Sequence, residues 1–245
     1  MLKLLFILYR RTFIIFGVIM LGILAALLIT NLASSPAPAK SSNDIITVAA
    51  IGDSNTAGAG VQNDNIEKNS YPAQLQQLLG EKYRVLNYGL GGTTLISSSS
   101  HAYSKTEFYK ESQSIAPDIV LIMLGTNDST TNNWNAAQYE QDLVSFVNTY
   151  KHLTNSPSVY LLTVPFAYIP GSTALPTEIN GGTVTNEVVP IIRRVAKLTN
   201  TPVIDIYAAT KNQSSLFPDR VHLTAAGYGV IANQVYQALL PKQSF

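Results

Sequence analysis

The chain has 245 residues, 46% of them hydrophobic and only 13% charged, enough apolar material for a sizeable core, which excludes an intrinsically disordered protein. Sixteen Lys and Arg against fifteen Asp and Glu leave a formal charge of +1, and no basic block exceeds a pair, so there is no electrostatic footprint for nucleic acid. Cysteine is absent, which removes disulfides, thiol nucleophiles and cysteine-held metals, and only three histidines remain for chemistry.

In chain order, residues 1–11 carry Lys3, Arg10 and Arg11 and read as a basic cytoplasmic N-terminus. From Phe13 to Thr30 the chain runs 18 residues without a charge, FIIFGVIMLGILAALLIT. As a helix that run reaches roughly 27 Å, near the hydrocarbon thickness of a bilayer. A membrane-spanning signal-anchor over 12–32 is expected, with everything after it on the extracytoplasmic side of the cell membrane. Ala37-Pro38-Ala39 resembles a small-residue cleavage site, and cutting there would make the protein secreted. The length of the apolar run favours retention. Residues 33–43, ASSPAPAKSSN, read as a Pro/Ser-rich linker to a domain over 44–245. From Asp44 onward the domain keeps all fifteen acids and twelve bases, a net charge of −3.

Within the domain, five β-rich apolar runs recur at 45–51, 83–88, 118–124, 158–164 and 202–207. Helical patterns lie at 71–80, 104–115, 136–152, 184–199 and 224–240, with Thr224 as a plausible N-cap and Pro72 in a first turn. Strands apolar on both faces that alternate with helices predict a parallel sheet covered on both sides. Sites in such sheets form beyond the carboxyl ends of the strands, where the strand order reverses. The segments falling there are Gly52-Asp53-Ser54-Asn55-Thr56-Ala57-Gly58, Asn87-Tyr88-Gly89-Leu90-Gly91-Gly92-Thr93-Thr94 and Gly125-Thr126-Asn127-Asp128, with Asp219-Arg220-Val221-His222 before the last helix.

A serine hydroxyl attacks esters only when an imidazole takes its proton and a third group orients that imidazole. Of the three histidines, His101 and His152 have no acid at an orienting spacing, whereas His222 follows Asp219 by three residues. Alone, Asp-x-x-His reads equally as a solvated helix entry, and the glycines as an ordinary strand-to-helix turn. Gly92 and Asn127 could also supply N–H groups to an oxyanion. Dinucleotide, P-loop and Gly-x-Ser-x-Gly patterns are broken where they begin, and Asp53, Asp128 and Asp219 come with no paired histidine motif for a metal.

Together the four segments, in this order, resemble the SGNH hydrolases, or GDSL esterases and lipases, over about residues 45–240. The resemblance implies a flavodoxin-like three-layer α/β/α sandwich with a five-stranded parallel sheet. It implies Ser54 as nucleophile, His222 as general base and acid, Asp219 as its orienting partner, and an oxyanion hole of the Ser54 N–H, the Gly92 N–H and the Asn127 amide. The reaction implied is ester hydrolysis through an acyl-serine, with no metal or organic cofactor. Asn55 stands where leucine would complete Gly-Asp-Ser-Leu, a change expected to bear on substrate fit.

An outward-facing domain near a membrane meets glycans and lipids. A cell-surface carbohydrate O-acetyl esterase is the first reading, helped by thirteen tyrosines as possible sugar-stacking groups. A lysophospholipase or short- to medium-chain acyl esterase is the second, with the segment 165–182 as a wall for an acyl chain. A non-catalytic anchored binding module is the third. The expected partners are a small-molecule or glycan ester and, through the N-terminal helix, the membrane.

Overall fold

The computed structural model describes residues 44–61, 65–169 and 178–240. The expected basic N-terminus, anchor and linker over 1–43 lie outside the described residues. Among the described residues no helix is long and apolar enough to cross a membrane.

The five expected strands are present: β1 Ile46–Gly52, β2 Tyr83–Gly89, β3 Ile119–Met123, β4 Ser158–Leu162 and β5 Val203–Ile204. They form one sheet in the order β2-β1-β3-β4-β5, and every pairing is parallel. The central strands read as continuous apolar runs because both faces are covered: Val48, Ala49, Ala50 and Ile51 are fully buried, and so are Val120 and Leu121. Helices Tyr71–Leu79 and Ala225–Leu239 pack on one another, as do Ala136–Lys151 and Val189–Leu198.

Local chemistry sets the helix ends. Thr224 caps Ala225–Leu239 by accepting the Gly227 N–H, and Pro72 sits in the first turn of its helix. In Ala136–Lys151, Asn135 caps the start, and Tyr139, Leu143, Phe146, Val147 and Tyr150 line the inward stripe at helical spacing. The fifth strand is shorter than its apolar run because Asp205 accepts the Ala208 N–H and turns the chain into a helix, Ile206–Thr210.

Five of the tyrosines offer no sugar platform: Tyr71, Tyr103, Tyr139, Tyr150 and Tyr228 are fully buried, where they fill volume, and Tyr139 places its hydroxyl on the Leu124 carbonyl at 2.8 Å.

The strand order reverses between β1 and β3, so the crevice that the fold offers to ligands lies at their carboxyl ends. Gly52 and Gly89 are paired in register at that edge. A Cβ on Gly89 would stand 2.1 Å from the Ala57 nitrogen, so its absence lets the short helix Ser54–Ala57 settle against β2.

Candidate active site

Ser54 opens that short helix directly after β1. Its N-cap, Asp53, accepts the Asn55 N–H at 2.9 Å and is almost fully buried. The first amide of a helix has no intrahelical acceptor, and the Ser54 N–H has none elsewhere among the described residues. Ser54 itself is 8% exposed, so its hydroxyl stands at the floor of the crevice.

His222 comes to it across the molecule, 168 positions along the chain, with Nε2 at 3.0 Å from Ser54 Oγ. Its Nδ1 lies 2.6 Å from Asp219 Oδ2. The other oxygen, Asp219 Oδ1, accepts the Val221 N–H at 2.9 Å and the His222 N–H at 2.7 Å, so one carboxylate fixes both ring and backbone. Partial burial works to raise the Asp219 pKa, but these bonds outweigh it and hold the carboxyl below its ordinary range. The two remaining histidines are elsewhere, His101 Nδ1 beside Ser100 Oγ and His152 Nδ1 beside the Asn148 carbonyl.

The loop after β2 supplies the other wall. Gly92 has φ 78, a left-handed conformation that glycine adopts without strain, and a Cβ there would meet nothing within 4 Å, so its face is open. Its N–H has no partner among the described residues. A Cβ on Gly91 would lie 3.8 Å from Ser54 Cβ, which puts this double glycine beside the nucleophile. Asn127 begins the turn after β3 and spends one N–H of its amide on the Thr93 carbonyl at 2.9 Å, leaving the second. The structure thus brings Ser54, Gly92, Asn127, Asp219 and His222 to one end of the sheet, from four separate segments.

The supporting roles of Asp128 and Gly60 escaped the sequence reading. Asp128 is fully buried, and its two oxygens accept the Leu95 N–H at 2.9 Å and the Ile96 N–H at 2.8 Å, tying the glycine loop to β3. Burial pushes its carboxyl up to about 7 and that of Asp53 up to about 6. Gly60, with φ +95, packs under the histidine segment: a Cβ there would stand 2.6 Å from the Leu223 carbonyl oxygen and 3.3 Å from His222 Cβ. Asn55 is buried, and neither of its amide atoms has a hydrogen-bond partner among the described residues. No metal-binding group of three His, Asp or Glu side chains occurs among the described residues.

Such an arrangement can pass the serine proton to imidazole, and the Ser54 N–H, the Gly92 N–H and the second Asn127 N–H are left without an acceptor among the described residues.

Comparison with known proteins gives the same picture. A model of the GDSL-like lipase/acylhydrolase family matches residues 50–230. An acetylxylan esterase of Xylanibacter ruminicola is 31% identical over 227 residues, covering 85% of this chain. That protein is longer, and the chain spans 45% of its length. Among solved structures, a carbohydrate acetylesterase from Sinorhizobium meliloti superposes with a TM-score of 0.65 at 17% identity, over 79% of this chain and 98% of its own. An acetylxylan esterase from Geobacillus stearothermophilus does so with a TM-score of 0.60 at 24% identity, over 81% and 95%. At these identities the likeness is one of fold.

Proposed function

The chain belongs to the GDSL-like lipase/acylhydrolase family, and from that premise we propose that it is a serine ester hydrolase that removes O-acetyl groups from carbohydrate. The observation that carries the reading is the unbroken relay from Ser54 Oγ to His222 at 3.0 Å and on to Asp219 at 2.6 Å. Ser54 Oγ attacks the ester carbonyl carbon as its proton passes to His222 Nε2. The carbonyl electrons move onto oxygen, where the Ser54 N–H, the Gly92 N–H and the free N–H of Asn127 receive the charge. Collapse of that intermediate expels the sugar oxygen, which takes the proton from His222 and leaves acetyl-serine. Water then attacks the acyl group by the same route, giving acetate and free serine.

The acetylxylan esterase of Xylanibacter ruminicola supports acetyl as the acyl group. For location, we propose that residues 12–32 hold the domain at the outer face of the cell membrane. The three cations ahead of an uncharged 18-residue run support this, and the domain would be secreted if the segment were cleaved. Recovery of the intact chain in the membrane fraction, with the domain digested by protease added outside the cell, is the expected result; a soluble cytoplasmic chain would refute it.

The functional test is acetate release from acetylated xylan and acetylated peptidoglycan, with Ser54→Ala alongside. Serine-dependent release is expected. Acetyl-inert protein that cleaves octanoate esters would move the substrate to lipid, and turnover undiminished in Ser54→Ala would dismiss the nucleophile.

A further inference from the structure

Beside the catalytic loops, at the carboxyl end of β4, lies a cavity of about 400 Å³ whose walls include Phe166, Tyr168, Ile169, Gly181, Thr185 and Asn186. That is within the size range of small-ligand sites, about 300 to 1,000 Å³. Both walls are fastened to the catalytic segments. The Tyr168 N–H donates to the Arg220 carbonyl at 2.9 Å, inside the Asp219–His222 turn. On the other side, the Asn180 N–H donates to Ser129 Oγ at 3.2 Å, two residues beyond Asn127.

The aromatic wall is rigid. The Tyr168 ring packs on Phe166 at 4.5 Å and on Phe217 at 5.2 Å, and its hydroxyl donates to the Lys211 carbonyl at 2.8 Å. The opposite wall has an independent mark of function. Thr185 and Asn186 sit on Val184–Val188, which winds as a π-helix, a geometry that is rare and concentrated at functional sites. Thr185 Oγ1 lies 3.1 Å from the Tyr207 hydroxyl, while Asn186 is exposed and its amide has no hydrogen-bond partner among the described residues.

We propose that this cavity is the subsite for a neutral sugar ring of the acetylated glycan, with Asn186 as its hydrogen-bonding group and Phe166 and Tyr168 as its apolar face. The inference rests on the esterase reading above. Among the described residues no charged side chain lines the cavity, so an anionic or cationic group would find no counter-ion among them. An acyl chain would use the aromatic wall and leave the amide of Asn186 idle. A sugar ring, with apolar faces and a hydroxyl edge, uses both walls.

The test separates the subsite from the activity. In full-length Ser54→Ala, which retains ligand, xylotriose, acetylated xylotriose and chitotriose are titrated by calorimetry with and without Asn186→Ala. At least one should bind, and Asn186→Ala should weaken it about five-fold, the loss of one neutral hydrogen bond. In the serine-bearing chain, the ratio of kcat/KM for acetylated xylotriose to that for aryl acetate should fall by a similar factor in Asn186→Ala, through KM. Absence of sugar binding, or binding and selectivity indifferent to Asn186→Ala, would overturn the subsite while leaving acetate release intact. A fall confined to octanoate ester would also overturn it, in favour of an acyl chain. If instead the chain releases no acetate but still binds sugar through Asn186, the esterase reading fails and the subsite stands.

Discussion

Two aspartates flank the same relay from opposite environments. Asp53, one residue before the nucleophile, is 1% exposed and accepts one backbone N–H, and burial pushes it up to about 6. Asp219, beside the imidazole, has a side chain 53% exposed, accepts two backbone N–H groups and the ring, and is held below the ordinary range. One residue type therefore serves as the scaffold of a buried turn in one place and as a carboxyl held towards its charged form in the other, set by solvent access and by the number of donors facing it.

Asp219→Asn attacks the charged member. It keeps the side-chain shape while removing the charge that orients and stabilises the imidazolium, and turnover should fall by about 10² to 10⁴. Asn127→Ala tests the receiving end of the site and should cost about 10² to 10³ in kcat with KM little changed, the loss of one oxyanion donor.

Gly60→Ala probes the seam between the two halves. The new methyl would need a left-handed backbone and would press on the Leu223 carbonyl, so a loss of about 1 to 3 kcal/mol in denaturant unfolding is expected, with activity reduced because His222 moves. Unaltered stability and rate would mean that the histidine segment is not held from beneath.

The smallest effect belongs to the buried carboxyls. A group whose pKa rises on folding favours the folded state most below its unfolded value and loses that contribution as pH climbs through the folded one. Asp53 and Asp128, raised to about 6 and about 7, therefore draw stability down between about pH 4 and pH 7. Asp219, lowered, acts in the opposite sense and loses its contribution as pH falls. Asp53→Asn should flatten the first decline, raising the melting temperature at about pH 7.5 relative to pH 4.5 when each is compared with the parent. An unchanged difference would show that Asp53 stays ionised across that range.

The strands were legible because burial on both faces writes itself as continuous apolar runs such as DIVLIML, and the site was legible because three of its segments follow strands and all four in order resemble those of a known family. What stayed hidden depends on distant partners. The bonds of Asp128 to Leu95 and Ile96 cross more than thirty positions, and the pressure of Gly60 on Leu223 crosses most of the domain. The helix Ser54–Ala57 is too short to show a period, and the end of β5 is set by one capping aspartate. Composition alone could not say which tyrosine rings face inward, as Tyr71 and Tyr139 do, and which line a cavity, as Tyr168 does.

The central claim is that Ser54 carries the acyl group, and the most direct measurement is mass analysis of the protein quenched in acid during turnover of an aryl acetate. An acetyl group on the peptide containing Ser54, absent from Ser54→Ala, is the predicted result. Full turnover with no serine adduct, or with the same rate in Ser54→Ala, would contradict it.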